Sequence, residues 1–208
     1  MNSKGNILIL APHTDDGELG CGATIAKYHA KDWNIIYVAF STCEQSLPPG
    51  VSPDSLVHEC RKATESLGIK DVRFLDFEVR KFPASRQDIL EAMVKLNQVL
   101  KPVSVFLPAK NDVHQDHHVI YEEGIRAFKN SNLFGYELPW NNTGFCPNYF
   151  ETINEGELSK KINALKEYKT QAHRNYMDED FIRSLAIVRG VQCNNPLAEA
   201  FEVYKMKK

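Results

Sequence analysis

The sequence predicts an α/β fold with one domain over residues 1–208, in which helices cover both faces of a Rossmann-like, mostly parallel sheet. Two observations predict this three-layer α/β/α class. Short apolar runs alternate with helix-length amphipathic segments along the first two-thirds of the chain. The 208 residues, 43% of them hydrophobic and 25% charged, are also enough to bury a single core. Because βαβ crossovers are right-handed, this alternation places helices on both sides of the sheet.

Strands and helices are predicted to alternate up to residue 129. The predicted strands are short runs dominated by apolar residues, at 6–11, 34–41, 72–77 and 103–109. The predicted helices carry apolar residues at helical spacing and lie at 17–31, 53–68, 85–101 and 116–129. The last third is less regular, and we expect it to pack on the same domain. It contains predicted strands at 132–140 and 148–153 and predicted helices at 157–171 and 179–193.

Charge and hydropathy exclude several classes of partner. Lys and Arg total 25 and Asp and Glu 27, so a formal net charge of −2 offers no basic excess for nucleic acid. The longest apolar runs are too short to span a membrane, and the N-terminal run ends at once in charge, unlike a signal peptide. Five scattered cysteines fit a reducing cytoplasm better than a disulfide scaffold. We therefore expect a cytoplasmic protein with a small-molecule substrate.

Polar clusters directly follow three of the predicted strands, at 13–16, 42–46 and 111–117. Ligands of such sheets bind beyond the carboxyl ends of the strands, so these clusters should converge at one edge. A dinucleotide-binding loop is disfavoured, because the spacing of Gly17, Gly20 and Gly22 does not match G-x-G-x-x-G. Two aspartates ahead of the helix would also repel a phosphate.

A metal site explains the first and third clusters better. His13 and Asp16 are three residues apart on a predicted turn and can face one ion, and His114 and His117 have the same spacing around Asp116. Two histidines and one carboxylate, with a fourth position left to water, form a known hydrolytic zinc site. Spacing alone does not choose between His114 and His117 as the ligand. The same donors also accept iron, cobalt or manganese.

Each cluster alone has a simpler interpretation. A single histidine at a strand end is usually just a polar surface residue, and the run "TDDG" can be no more than an N-cap and a turn. The occurrence of both clusters at one predicted sheet edge is what favours a metal. In that case Asp15, adjacent to a metal-bound carboxylate, can take a proton from the activated water.

The runs "PHTDDGELGCGAT" and "HQDHH" resemble the two motifs of the zinc-dependent deacetylases of the PIG-L/LmbE type. The resemblance also includes "RKATESLGI" and the tail "AEAFEVYK", so it extends over nearly the whole chain. It implies that His13, Asp16 and His117 are the zinc ligands and that Asp15 is the general base.

The resemblance also implies roles for two further residues of the second motif. His114 would stabilise the oxyanion or protonate the leaving amine, and Asp116 would orient it. Two positions depart from the family pattern, because Thr14 replaces a proline and Ala23 replaces a glycine. Neither is a metal ligand, so we expect a looser loop and retained activity.

Four further residues are candidates for substrate binding. Glu44 follows the second predicted strand, and Arg61 lies where the family has an arginine in its second helix. Trp140 and Asn141 pair an aromatic ring with an amide, which suits a carbohydrate, although an ordinary surface loop explains them nearly as well.

The function expected from these motifs is metal-dependent hydrolysis of an N-acetyl group on an amino sugar or glycoconjugate, with zinc as the cofactor. Two alternatives remain at this point. The same site could hydrolyse a non-sugar or thiol-conjugate amide, or the protein could bind a metal or a sugar without catalysis. Similar proteins are often oligomers, so a homo-oligomer is possible, but no feature of the sequence decides this.

Overall fold

The computed structural model describes residues 4–207, which form a seven-stranded sheet with six α-helices. The strands are Asn6–Ala11 (β1), Asn34–Ala39 (β2), Asp71–Phe74 (β3), Ser104–Pro108 (β4), Asn132–Tyr136 (β5), Tyr149–Thr152 (β6) and Ala198–Lys205 (β7). The helices are Asp16–His29 (α1), Ser55–Ser66 (α2), Arg86–Leu100 (α3), Gln115–Ala127 (α4), Glu155–Leu165 (α5) and Glu179–Gln192 (α6).

The strand order in the sheet is β3-β2-β1-β4-β5-β7-β6. Strands β1 to β5 are parallel to their neighbours, whereas β7 pairs antiparallel with both β5 and β6. The predicted mostly parallel, Rossmann-like α/β/α fold is thereby confirmed. No helix within residues 4–207 is long and apolar enough to cross a membrane.

The sheet is buried on both faces, which explains the nearly continuous apolar sequence of its central strands. On β1, Ile7 and Ile9 pack in one cluster with α1, α2, α5 and α6. Leu8 and Leu10 point to the other face and pack with α3 and α4. Successive side chains of a strand alternate between faces, so β1, like β2 and β4, contributes to both halves of the core.

Several boundaries in the last third differ from the sequence prediction, for local reasons. Helix α5 begins at Glu155 because Asn154 and Glu157 form a capping box, with the Asn154 side chain accepting from the Glu157 N–H at 2.9 Å. The same helix ends at Leu165, well before the predicted residue 171. Strand β7 was not predicted, and β5 ends at Tyr136, before the predicted residue 140.

Helix α1 is broken at Cys21, whose backbone is non-helical. Beyond the break, the Glu199 carboxylate of β7 accepts from the N–H groups of Ala23 and Thr24, at 3.2 and 2.7 Å. The buried Lys161 ammonium lies 2.6 Å from the same carboxylate. These contacts satisfy the N–H groups that the break exposes, and they attach the late strand β7 to the helix behind the first motif.

The glycines of the first motif permit close packing and do not form a phosphate loop. A Cβ on Gly17 would lie 2.5 Å from the ring of Tyr37, and one on Gly20 would lie 2.3 Å from the ring of Tyr136. Any side chain at either position would therefore push the start of α1 off the sheet.

Candidate active site

The two motifs meet where the chain leaves neighbouring parallel strands. The first motif connects β1 to α1, and the second connects β4 to α4. Because β1 lies between β2 and β4, the crossovers from β1 and from β4 run in opposite directions. This point of a parallel sheet leaves a crevice outside the strand ends, which is the usual ligand site.

Three donor atoms from the two connections form a small triangle. Nδ1 of His13 lies 3.1 Å from Oδ2 of Asp16 and 3.1 Å from Nε2 of His117. Nε2 of His117 lies 3.3 Å from Oδ2 of Asp16. Donors placed tetrahedrally about 2.0–2.1 Å from one zinc ion are roughly 3.3 Å apart, so the triangle has the dimensions of such a site.

The second nitrogen of each of these histidines contacts a buried carboxylate. Nε2 of His13 lies 3.1 Å from Oδ2 of Asp116, and Nδ1 of His117 lies 2.7 Å from Oδ2 of Asp112. Donation to these carboxylates leaves the lone pairs of the other two nitrogens directed at the centre of the triangle. Carboxylate partners of this kind orient metal-binding histidines in proteins generally.

A third histidine nitrogen lies close enough to be considered as a ligand. Atoms of His13, His114 and His117 all lie within 4.8 Å of one another and could also hold an ion. However, Nδ1 of His114 accepts a hydrogen bond from the Asp116 backbone N–H at 3.2 Å. A neutral imidazole bonded in this way carries its proton on Nε2, which leaves no free lone pair on that atom. The set that contains Asp16 is therefore the better one.

The charges around the triangle suit a cation. Burial opposes protonation of His117, but the carboxylates of Asp16 and Asp112 raise its pKa to about 10. Burial would raise the pKa of Asp16, yet His117 and His13 hold it well below its usual value. The donors thus stabilise positive charge at their centre, as a divalent ion requires.

Asp15 lies beside this triangle in a different environment. Its side chain makes no hydrogen bond that caps α1, and it lines the cavity above the triangle. Burial, together with the adjacent charge of Asp16, raises the pKa of Asp15 to about 6. The two neighbouring carboxylates therefore differ, because one is fixed by histidines and the other faces the cavity.

His114 caps α4 and also faces the cavity. Burial and the neighbouring His117 and His13 lower the pKa of His114 to about 4. The imidazole is thus neutral near pH 7 and can offer its Nε2–H to a bound molecule.

The cavity outside the triangle has a volume of about 310 Å³. Its outer wall comes from the loop after β5 and the connection between α5 and α6, which supply Trp140, Asn141, Gln171, Arg174 and Tyr176. The rings of Trp140 and Tyr176 stack with centroids 3.9 Å apart and planes 11° apart. This stack joins two distant parts of the sequence into one wall.

Behind the first motif lies a buried polar network. The hydroxyl groups of Tyr37 and Tyr168 both contact the Thr14 carbonyl, at 2.9 and 2.6 Å, and both contact the carboxylate of Glu18. Burial raises the pKa of Glu18 to about 8. The network fixes the peptide between His13 and Asp15, so it holds the motif in place from behind.

The structure brings together most, but not all, of the residues expected from the sequence. The expected metal and catalytic residues lie at the same sheet edge, and Trp140 and Asn141 line the cavity. Two substrate-binding expectations need correction. Glu44 is exposed and contacts Gln45, and Arg61 lies over the ring of Phe74 at 4.9 Å, so neither lines the cavity.

The expected role of Asp116 also needs correction. Its carboxylate contacts His13 and not His114, and it accepts from the backbone N–H groups of Arg80 and Phe82 at 2.6 and 3.3 Å. Only the backbone N–H of Asp116 contacts His114. This aspartate of the second motif therefore contacts a histidine of the first motif, which is possible because β1 and β4 are neighbours in the sheet.

Sequence reasoning missed four residues that contribute to the site: Asp112, Gln171, Arg174 and Tyr176. Asp112 lies in the second cluster, five residues before His117. A carboxylate this close to a histidine in the sequence was the signal that could have identified it. The other three lie in an irregular connection of short turns between α5 and α6, where no motif marked them.

Comparison with known proteins identifies the family. The family model described as PIG-L, GlcNAc-PI de-N-acetylase, matches residues 8–128, which is more than half of the chain. An uncharacterized deacetylase of Escherichia coli K12, YaiS, is 29% identical over 178 residues, which cover 81% of this chain and 93% of that protein. The diacetylchitobiose deacetylase of Thermococcus kodakarensis is 25% identical over 222 residues, 95% of this chain and 82% of that protein.

A solved structure shows how widely this fold is used. GalB of Pseudomonas putida KT2440, a 4-carboxy-2-hydroxymuconate hydratase, superposes with a TM-score of 0.82 at 19% identity over 98% of each chain. A fold shared with a hydratase does not by itself define a reaction. The family match does, and it confirms the resemblance that the two motifs indicated and the deacetylase activity expected from it. The chain belongs to the PIG-L (GlcNAc-PI de-N-acetylase) family.

Proposed function

We propose that the protein is a zinc-dependent enzyme that hydrolyses the N-acetyl group of an amino sugar or glycoconjugate, with His13, Asp16 and His117 as the metal ligands. The observation that carries this proposal is the triangle of donors with sides of 3.1, 3.1 and 3.3 Å, next to the Asp15 carboxylate in the cavity. Two imidazoles and one carboxylate suit zinc and leave room for a substrate, although other divalent transition metals accept the same donors.

A bound zinc ion would polarise the amide carbonyl and make a nearby water more acidic. Asp15 takes the proton of the attacking water as the water adds to the acetyl carbon. The same carboxyl group can return that proton to the departing amine, so that acetate and a free amine are the products. This role needs a carboxylate that no histidine holds, as is the case for Asp15.

His114 stabilises the negative charge that develops on the carbonyl oxygen. Its Nδ1 is occupied by the Asp116 N–H, so its Nε2–H is available to donate. Because α4 begins at this residue, the imidazole is held by a helix and needs little reorganisation during the reaction. Asp116 and Asp112 act further out, where they orient His13 and His117.

The proposal of a sugar substrate rests on the relatives and on the cavity wall. The Thermococcus relative is, by its name, a deacetylase of an N-acetylated sugar. Trp140 is 38% exposed beside the cavity and backed by Tyr176, so its free face can pack on a sugar ring. A volume of about 310 Å³ lies at the lower end for ligand cavities, which favours one or two rings. A cytoplasmic location and a homo-oligomeric state remain predictions.

The test is to measure acetate and free amine released from N-acetylglucosamine and its glycosides. We expect equal amounts of both products, loss of activity when a chelator removes the metal, and recovery on addition of zinc. Elemental analysis of the same samples reports the bound metal. Bound metal with no release of amine from any N-acetylated sugar would instead support a non-catalytic binding protein.

A further inference from the structure

Two arginine side chains line the cavity next to the metal-binding triangle. Arg80 follows β3, and Arg174 lies in the connection between α5 and α6. Apart from the two histidines of the triangle, the rest of the lining is acidic or neutral. Two arginines from distant parts of the chain, both partly exposed to solvent, therefore border one small space.

These two arginines differ from most others in the protein. Five arginines of residues 4–207 form an ion pair with a carboxylate within 4.0 Å, namely Arg73, Arg86, Arg126, Arg183 and Arg189. Neither Arg80 nor Arg174 has such a partner in the described part of the chain. The lysine next to Arg80 is not free either, because Lys81 pairs with Glu78 at 2.7 Å.

Arg80 is held in place by its own backbone. Its N–H donates to Oδ2 of Asp116 at 2.6 Å, and its φ of 69° lies in the left-handed region that favours glycine. In its side chain, Nη2 makes a hydrogen bond of 3.3 Å to the Gln45 carbonyl. Most of the five donors of the guanidinium thus remain available, at a position fixed relative to the metal-binding triangle.

Arg174 is oriented by neutral groups. Its Nε donates to Oε1 of Gln171 at 2.7 Å, and its guanidinium lies 5.8 Å from the ring centre of Tyr176. Its charge lowers the pKa of Asp15, but an arginine serving only to balance that charge would form an ion pair with it, and no such pair is present within residues 4–207. Arg174 also lines the cavity, with only its Nε engaged in a side-chain hydrogen bond among residues 4–207.

We propose that the substrate carries an anionic group, a carboxylate or a phosphate, which Arg80 and Arg174 bind beside the sugar. This inference rests on the proposed function and narrows its substrate class. Guanidinium groups form charge-assisted, often bidentate hydrogen bonds to both anions. The acetamide then lies over the triangle, the sugar packs along Trp140, and the anion occupies the part of the cavity between the arginines.

The test compares three derivatives of N-acetylglucosamine: the neutral methyl glycoside, the 1-phosphate and the glycoside of glycolic acid. We expect kcat/KM to be about tenfold or more higher for at least one anionic derivative, because a hydrogen bond between charged groups contributes at least that factor. The anionic derivative with the higher kcat/KM identifies whether the preferred anion is a phosphate or a carboxylate. The preference should decrease at high ionic strength, since exposed charges are screened by salt.

Arg80→Gln and Arg174→Gln test the assignment. Each should lower kcat/KM for the preferred anion about tenfold and bring the ratio of anionic to neutral substrate closer to one. Glutamine at position 80 retains the backbone N–H that holds Asp116. Arg183→Gln is the matched control, because it removes an arginine outside the cavity that pairs with Glu155, and it should leave the ratio unchanged.

A binding measurement separates this inference from the proposed function. In the zinc-loaded Asp15→Asn variant, calorimetry should show about tenfold tighter binding of the preferred anionic derivative than of the methyl glycoside. Loss of that difference with either arginine replaced supports the inference even if no derivative is hydrolysed, in which case only the proposed function fails. Equal affinities and equal kcat/KM values overturn the inference and leave the proposed function standing. An anion preference that survives both arginine replacements also overturns it.

Discussion

The parallel part of the sheet and the later, irregular part of the chain contribute differently to the cavity. The residues proposed to hold a metal or move a proton lie in the connections after β1 and β4 and in the first turns of α1 and α4. The outer wall comes from the segments after β5, where Trp140, Arg174 and Tyr176 lie on loops. The two regions meet at the cavity, through the buried network around Thr14, and where Glu199 of β7 contacts α1.

We expect the first region to carry out the reaction and the second region to select the substrate. Groups that must stay within a few tenths of an ångström of each other are placed at the ends of buried strands and the starts of helices. Groups that select a substrate are placed on loops, where sequence change disturbs the core least. Changes in the first region should therefore affect every substrate, and changes in the second should affect some substrates more than others.

The largest expected effect is the loss of turnover in His117→Ala, and the adjacent His118 provides its control. His117→Ala removes a donor from the triangle and should lower turnover by more than about a hundredfold, because loss of an orienting partner alone costs about 10- to 100-fold. His118→Ala should have little effect, since the His118 side chain is half exposed, lies outside the cavity and pairs with Glu122 at 3.2 Å. Metal content and kcat measured on both variants make the comparison. Equal behaviour of the two variants would contradict the assignment.

A smaller effect is expected at Asp112, which does not contact the centre of the triangle. Asp112→Ala leaves Nδ1 of His117 without its partner and should weaken metal affinity by about 10- to 100-fold. Asp112→Asn retains an acceptor oxygen and should lose less. Competition with a chelator of known affinity measures both variants. A normal affinity in Asp112→Ala would show that His117 is oriented by other contacts.

Changes in the second region should alter binding more than chemistry. Trp140→Ala removes the exposed face of the Trp140–Tyr176 stack and should raise KM about tenfold with a smaller change in kcat. Trp140→Phe keeps an aromatic ring and should recover part of the loss. Steady-state kinetics on one N-acetylated sugar suffices. A loss confined to kcat would place Trp140 in the chemistry and remove the distinction between the two regions.

The smallest effect concerns the link between the regions. Tyr168→Phe deletes the hydroxyl that contacts Thr14 and Glu18, at 2.6 and 2.9 Å, and should lower the free energy of unfolding by about 1 kcal/mol. Tyr121→Phe is the control, because that hydroxyl makes no hydrogen bond within residues 4–207, and it should change little. Chemical denaturation measures both. Equal losses would show that the buried network contributes no stability.

The regular half of the fold was predictable because its physics is local. The apolar runs of β1 and β4 and the helical periodicity of α3 specify their elements without tertiary information. Strand β7 was missed, because its pairing between β5 and β6 depends on contacts far along the chain. The break in α1 at Cys21 was missed for the same reason, since Glu199 compensates for it from β7.

In the candidate site, too, some residues could be predicted from the sequence and others depended on tertiary contacts. Residue types and spacing led to His13, Asp16 and the second histidine cluster, because metal chemistry restricts which side chains can serve. The contact between Asp116 and His13 could not be predicted from the sequence, because it depends on β1 and β4 being neighbours in the sheet. Glu44 and Arg61 lie outside the cavity lining because loop conformation and helix rotation decide which side chains reach a cavity.

The central claim is that the adjacent carboxylates of Asp15 and Asp16 have different roles, one in proton transfer and one in metal binding. The most direct test measures bound metal per chain and kcat in Asp15→Asn and Asp16→Asn side by side. We predict that Asp15→Asn keeps its metal and loses turnover by on the order of a hundredfold or more, whereas Asp16→Asn loses the metal itself. Near-normal turnover in Asp15→Asn, or normal metal affinity in Asp16→Asn, would contradict the account.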